Sequence, residues 1–182
     1  MNTTAHSAAA SGAGASAASP SAMAQRVSAV IGLIERIPNA LIALLARFSL
    51  AAVFWNSGQT KIQGFVLNIV SGDFTLGWPQ LSDSAVALFQ DEYKLPLISP
   101  EIAAPLAAAA EHLLPLLLLI GLATRFSALA LLGMTLVIQL FVYPGAYATH
   151  GTWAAVLLYL MVRGPGSLSV DHWLASRQAM GR

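Results

Sequence analysis

The chain has 182 residues, 57% of them hydrophobic and 9% charged, with a mean hydropathy of +0.68. A soluble domain of this size has too little polar surface at that composition to cover itself, so lipid must be a principal solvent. Nine Lys and Arg against eight Asp and Glu leave no basic surface for nucleic acid, which is excluded as a partner. The lack of cysteine removes disulfides, thiolate metal sites, iron–sulfur ligation and thiol catalysis, so any redox chemistry is borrowed from elsewhere.

Residues 1–25 are rich in Ala, Ser and Gly, lack the unbroken apolar core of a secretory signal, and read as a disordered tail. Over 26–37, Val27, Val30, Ile31, Ile34 and Ile37 recur at helical spacing while Arg26, Glu35 and Arg36 project elsewhere. That is the pattern of an amphipathic helix lying in the membrane interface. Pro38 separates it from four long apolar stretches, about 39–57, 100–122, 124–143 and 149–162. Each approaches the ~20 residues that cross ~30 Å of hydrocarbon. The last is the shortest, and Tyr143, Tyr147, Trp153 and Tyr159 supply it with interfacial anchors.

The expected fold is all-α: a polytopic membrane four-helix bundle over 38–174, followed by a cytoplasmic tail, 175–182. Arg26, Arg36, Arg125, Arg163, Arg177 and Arg182 fall on one side of the spans, which places both termini in the cytoplasm. The opposite side receives the connection 58–99, too long for a bare link and therefore expected to be structured. It contains an apolar piece, 62–70, the breaker-rich run SGDFTLGWPQ, and a short helix from Leu81 to Tyr93. Together they are expected to cap the helix ends.

An ionisable residue within a span costs roughly 2.5 to 3.5 kcal/mol on insertion scales, so it faces the protein interior and finds a partner. Arg47 in the first span and Glu111 in the second, counted from the cytoplasmic ends of their helices, differ in depth by only about 4 to 5 Å at ~1.5 Å per residue. They are expected to pair. Arg47, Ala51, Phe54, Gly58 and Lys61 share a helix face that should meet the small-residue strip Ala104, Ala107, Ala108 and Glu111. His112 lies about 100° around the helix from Glu111 and looks toward a different neighbour. Pro115 leaves the Glu111 carbonyl without its helical donor. Gln139 and His150 add polar groups nearer the outer side, Gln139 as an interhelical hydrogen bonder. Two histidines at different depths do not make a haem or zinc site.

These residues carry a resemblance. Arg47 within RFSLAAVFWNSGQTKIQG, with Gly58 and Lys61 closing the first span, precedes EHLLPLLLLIGLATRFSALALLGMTL and then Gly164, Pro165, Gly166, Ser169 and Asp171 in MVRGPGSLSVDHWL. Over residues 38–174 the array resembles the DoxX family of small bacterial four-helix membrane proteins. The segments DEYKLPLISPE and FVYPGAYATHGTW resemble a proteobacterial subgroup often encoded beside enzymes that modify cysteine-rich, metal-handling peptides. The resemblance implies a bacterial inner-membrane protein linked to thiosulfate:quinone oxidoreductase and other membrane redox complexes. A quinone is the implied cofactor. Glu111 and His112 would then handle protons, and Arg47, Lys61, Gln139 and His150 would line the cofactor site. Besides the bilayer, a protein partner or a second copy of the chain is implied. The competing readings are a non-catalytic anchor or assembly partner for a neighbouring enzyme or metal-stress system, and a small transporter. The almost wholly apolar third and fourth spans argue against a transporter.

Overall fold

The computed structural model describes residues 21–68 and 71–181. Two compact units divide at Ile37/Pro38. In the first, α1 (Ala22–Ile34) starts where the Ser21 side chain accepts a hydrogen bond from the Ala24 N–H at 3.3 Å. Its Val27, Val30, Ile31 and Ile34 are exposed. The helix begins inside the expected tail, of which residues 1–20 lie outside the described part.

In the second unit, α2 (Asn39–Gln59), α4 (Pro100–Ile120), α5 (Thr124–Val137) and α6 (Tyr147–Arg163) pack around one core. That core is built from Ala43, Ala46, Leu50 and Phe54 of α2, Leu114 and Leu118 of α4, Ala128 and Leu131 of α5, and Leu157 and Leu160 of α6. The residues fall at three- and four-residue intervals, one stripe per helix, and the opposite faces carry exposed Leu, Ile and Phe. An apolar outward face suits a helix that contacts lipid. Three helices are long and apolar enough to cross a membrane: Asn39–Gln59, Pro100–Ile120 and Thr124–Val142, the last being α5 with its π-helical extension. The fourth, α6, has 17 residues, and a 3-10 turn, Pro144–Ala146, leads into it.

Between α2 and α4 the connection is structured, as its length requires, but not wholly helical. The apolar piece and the breaker-rich run form an antiparallel hairpin, β1 (Ile62–Asn68) with β2 (Asp73–Leu81). Phe65, Val66, Phe74, Thr75 and Trp78 suit a pleated strand, and left-handed Gly72 stands at the turn. The ladder is interrupted between Gln63 and Phe65, where Gly64 has φ +84°. The expected Leu81–Tyr93 helix is α3 (Asp83–Leu88), closed by a π-turn, Phe89–Tyr93. Ala85 and Phe89 pack on Ala103 and Ala104, so the connection covers the N-terminal end of α4.

The chain ends in α7 (Val170–Met180), which runs across the boundary expected at 174/175 and is begun by the Ser169 side chain. The α4–α5 turn is tight because Gly121 (φ +73°) and Ala123 (φ +48°) are both left-handed. A Cβ on Gly121 would collide with the Arg47 guanidinium and stand 2.5 Å from Ser169 Cβ. Gly121→Ala is therefore expected to cost about 2 kcal/mol or more in unfolding experiments in detergent. Gly133→Ala, where a Cβ meets nothing within 4 Å, should be neutral or stabilising.

Candidate functional site

The register of α2 against α4 decides which polar groups meet. Gly58 lets the helices close: a Cβ there would stand 2.8 Å from His112 Cε1 and 3.1 Å from Glu111 Cβ. The expected faces do meet, with Phe54, Gly58 and Lys61 turned toward α4. The expected ends do not line up. Residues 57–59 stand level with 111–112, while Arg47 reaches Leu119. The two helices are thus staggered, and Arg47 lies some ten residues, or roughly 15 Å, from the level of Glu111.

Glu111 pairs instead with Lys61, Nζ to Oε2 at 2.7 Å, with both side chains almost fully buried. Lys61 also donates to the Ser57 carbonyl at 3.2 Å and to Ser57 Oγ at 3.1 Å. Ser57 Oγ in turn donates to Glu111 Oε1 at 3.2 Å. Every ammonium proton therefore has an acceptor, which is what makes a buried charge pair tolerable.

His112 is held differently. Its Nδ1 lies 2.6 Å from the Ala108 carbonyl, which only accepts, so Nδ1 carries the proton. Its Nε2 lies 2.9 Å from Gln59 Nε2, and Gln59 Oε1 accepts the Leu67 N–H at 2.8 Å. The Gln59 amide is thereby oriented with its N–H toward the ring. This network assigns the neutral Nδ1–H tautomer, with both ring nitrogens engaged. Trp55 meets the imidazole edge-on at 4.9 Å.

Beside Glu111 lies a cavity of about 360 Å³, walled by α4 and α5 with its extension and roofed by Phe89, Tyr93, Leu95 and Ile98. Small residues create it: Ala103, Ala107 and Ala110 on α4 and Gly133 on α5 leave unfilled space. Its lining is almost wholly apolar, and Glu111 and Tyr93 are the lining residues that carry polar side-chain groups. The Tyr93 ring packs tilted against Phe89 at 4.7 Å and meets Tyr143 at 6.2 Å, and Tyr143 donates to Glu92. Burial, followed by the neighbouring Tyr143 and the carboxylates of Glu111 and Glu92, pushes the Tyr93 phenol up to about 12.

Arg47 does not pair with Glu111, because the stagger carries it to the far end of α4. There it donates to the Leu119 carbonyl at 3.2 Å and to the Leu168 carbonyl, filling acceptors that a helix end and a loop leave open. Asp171 completes this end. Its carboxylate accepts from Ala123 N at 2.8 Å and Thr124 N at 2.9 Å, capping α5. Gln139 and His150 meet each other and no other proposed site residue. Gln139 Nε2 donates to the Pro144 carbonyl at 2.7 Å, and His150 Nδ1 lies 2.8 Å from Gln139 Oε1, joining the α5 extension to α6.

The proposed site residues thus occupy three places: Lys61, Glu111 and His112 together, Gln139 with His150, and Arg47 apart. Among the described residues, no group of three or more His, Cys, Asp and Glu is placed to hold a metal ion. Sequence reasoning missed Ser57, Gln59 and Tyr93. Ser57 had a signal, since it lies one helical turn before Lys61. Gln59 and Tyr93 had none, because their partners, His112 and Leu67 for the one and Phe89 and Tyr143 for the other, are brought together only by the fold.

Removing one member of the Lys61–Glu111 pair leaves an uncompensated buried charge. Lys61→Met and Glu111→Leu are each expected to destabilise by about 3 to 5 kcal/mol, and the two combined should recover most of the loss in a double-mutant unfolding cycle. For Tyr93, the folded protein retains the proton longer than the unfolded chain. Its contribution to stability is complete below about pH 10 and disappears as pH rises through about 12. The bond to Glu92 raises Tyr143 as well, so a phenolate absorbance titration should show late-titrating tyrosines, of which the Tyr93 component is abolished by Tyr93→Phe.

No curated protein and no solved structure matches this chain. The DoxX family model matches residues 42–144, a segment that includes Arg47, Lys61, Glu111, His112 and the walls of the apolar cavity. With three helices able to cross a bilayer, the chain belongs to the DoxX family and is a multi-pass membrane protein.

Proposed function

We propose that this protein is the membrane subunit of a redox complex that passes electrons or protons between a partner and the quinone pool. The observation that carries the reading is the cavity of about 360 Å³ with Glu111 on its wall. An apolar chamber of that size beside a carboxyl group suits a flat, lipid-soluble ring with polar carbonyls. A bound quinone would supply two-electron, two-proton chemistry. Glu111 is the residue of this chain that exchanges a proton there, and Lys61 and Ser57 hold its carboxylate in place. His112 orients α4 rather than relaying protons, because taking a second proton would break its bond to Gln59.

In this reading α6 is the fourth span of a four-helix bundle in the bacterial inner membrane. Both termini are cytoplasmic, with Arg125 and Arg163 on that side. The exposed apolar residues of α1 rest in the headgroup region. Electrons enter from a partner protein, since a chain without cysteine holds no thiol or thiolate cluster. The competing reading, a non-catalytic anchor, is supported by how fully His112 and Lys61 are engaged in structural contacts.

The test is mass spectrometry of the full chain purified gently from native membranes. Quinone is expected near one equivalent. Ala107→Leu, which fills the cavity without touching the ion pair, should lower it about tenfold while the folded protein persists. A partner recovered without quinone would leave the anchor reading standing.

A further inference from the structure

The β1–β2 hairpin is amphipathic, and its position follows from two hydrogen bonds. In the regular part of the ladder, Phe65 pairs with Leu76 and Leu67 with Phe74, so these four side chains share one face. The other face carries Val66, Asn68, Asp73 and Thr75. Phe65 and Leu67 on β1 are half-buried, but the β2 half of this face is not covered by the protein: Phe74 is 62% exposed and Leu76 86%, with Trp78 83% exposed just beyond the irregularity in the ladder. In water this would be a costly arrangement for so small a sheet.

A strand of seven residues leaving the end of α2 could carry its far end ~20 Å away from the helix. Instead it is held against α2. Trp55 Nε1 donates to the Leu67 carbonyl at 2.9 Å, and Gln59 Oε1 accepts the Leu67 N–H at 2.8 Å. Residues 55 and 59 lie one turn apart on a helix that is long and apolar enough to cross the membrane. The hairpin therefore folds alongside the last turns of a span and does not project beyond it. The same two bonds occupy the edge of β1 that faces away from β2, the edge that would otherwise present open backbone groups.

We propose that the hairpin is a membrane-surface element that lies at the headgroup boundary beside the C-terminal end of α2, with Phe74, Leu76 and Trp78 in the acyl chains and Asp73 and Thr75 toward water. Two features point to lipid over a protein partner. The hairpin is bonded to a helix whose own outward face carries exposed Leu, Ile and Phe, a surface suited to lipid. Along β2 the exposed Phe74, Leu76 and Trp78 alternate with Asp73, Thr75 and Gly77, and a tryptophan among them suits the membrane interface. The outer edge of β2, which no further strand pairs, keeps the hairpin at the boundary and out of the hydrocarbon core.

The chain has no cysteine, so single nitroxide labels can be placed without background. Leu76→Cys and Thr75→Cys would be labelled in the full chain, reconstituted at one copy per lipid nanodisc. Accessibility would be read with oxygen, which concentrates in lipid, and with a nickel chelate, which stays in water. The oxygen-to-nickel ratio is expected to be at least about threefold higher at 76 than at 75, because neighbouring strand residues face opposite sides. Equal nickel access at both positions overturns the proposal, since the hairpin would then stand in water. A label at 76 shielded from both reagents also overturns it, since protein would then cover the face. Should a cysteine variant fail to fold, brominated acyl chains must quench a fluorescence component that Trp78→Phe removes; no such component would likewise overturn the proposal.

Discussion

A polar group at membrane depth has no water to fall back on, and the pairing of α2 with α4 is the arrangement that meets this demand at both ends. At one end Lys61 neutralises Glu111, with Ser57 bridging the two. At the other, Arg47 fills carbonyls that α4 and the 164–169 loop leave open. Between them the contact is made by Leu50, Phe54, Leu114 and Leu118, which need no partner beyond close packing. Sliding α2 by one turn along α4 would strand all three charges, so the charges fix the register even though the apolar stripe supplies most of the contact area.

That register separates the polar groups into tasks. Arg47 and Asp171 close the α4–α5 turn, one satisfying carbonyls and the other amides, and the left-handed Gly121 fits between them. Gln139 and His150 tie α5 to α6. His112 links α4 through Gln59 to Leu67 of the hairpin. Each of these groups is spent on structure. Glu111 differs in that it also borders an apolar cavity, and for that reason the proposed chemistry rests on one carboxylate and not on a carboxylate–histidine couple.

Three of the four expected spans were legible because their signal is cumulative: runs of about twenty apolar residues read the same way whatever surrounds them. The face of α2 that meets α4 was legible too, from Ala51, Phe54, Gly58 and Lys61 at helical spacing. The partner of Glu111 was not. Pairing Arg47 with Glu111 assumed that the two helices end level, but α2 extends past the end of α4, and a stagger of that kind is set by tertiary packing that no single helix encodes. The hairpin was hidden for a related reason. Its apolar strand was too short to distinguish from a buried helical turn, and its second strand combines Phe74, Leu76 and Trp78 with Gly77 and Pro79, which read as breakers.

Gln59 joins these elements more closely than their chain positions suggest. Its amide nitrogen holds His112 and its amide oxygen holds Leu67, so one side chain sets both the rotation of α4 and the inclination of the hairpin. Glu111 is the residue next to His112, and turning α4 to release the imidazole would swing the carboxylate away from Lys61. The N-terminal end of α4 is simultaneously held by the cap, through Ala103 and Ala104 against Ala85 and Phe89, and Phe89 is also part of the cavity roof. The cavity therefore has walls from the spans and a roof from the connection, and the two are joined through α4. A ligand entering from lipid between α4 and α5 would meet the carboxylate without disturbing the cap. One entering from the aqueous side would have to part Phe89 and Tyr93, whose rings pack against each other. The lateral route is the one that leaves the ion pair and the His112–Gln59–Leu67 chain intact.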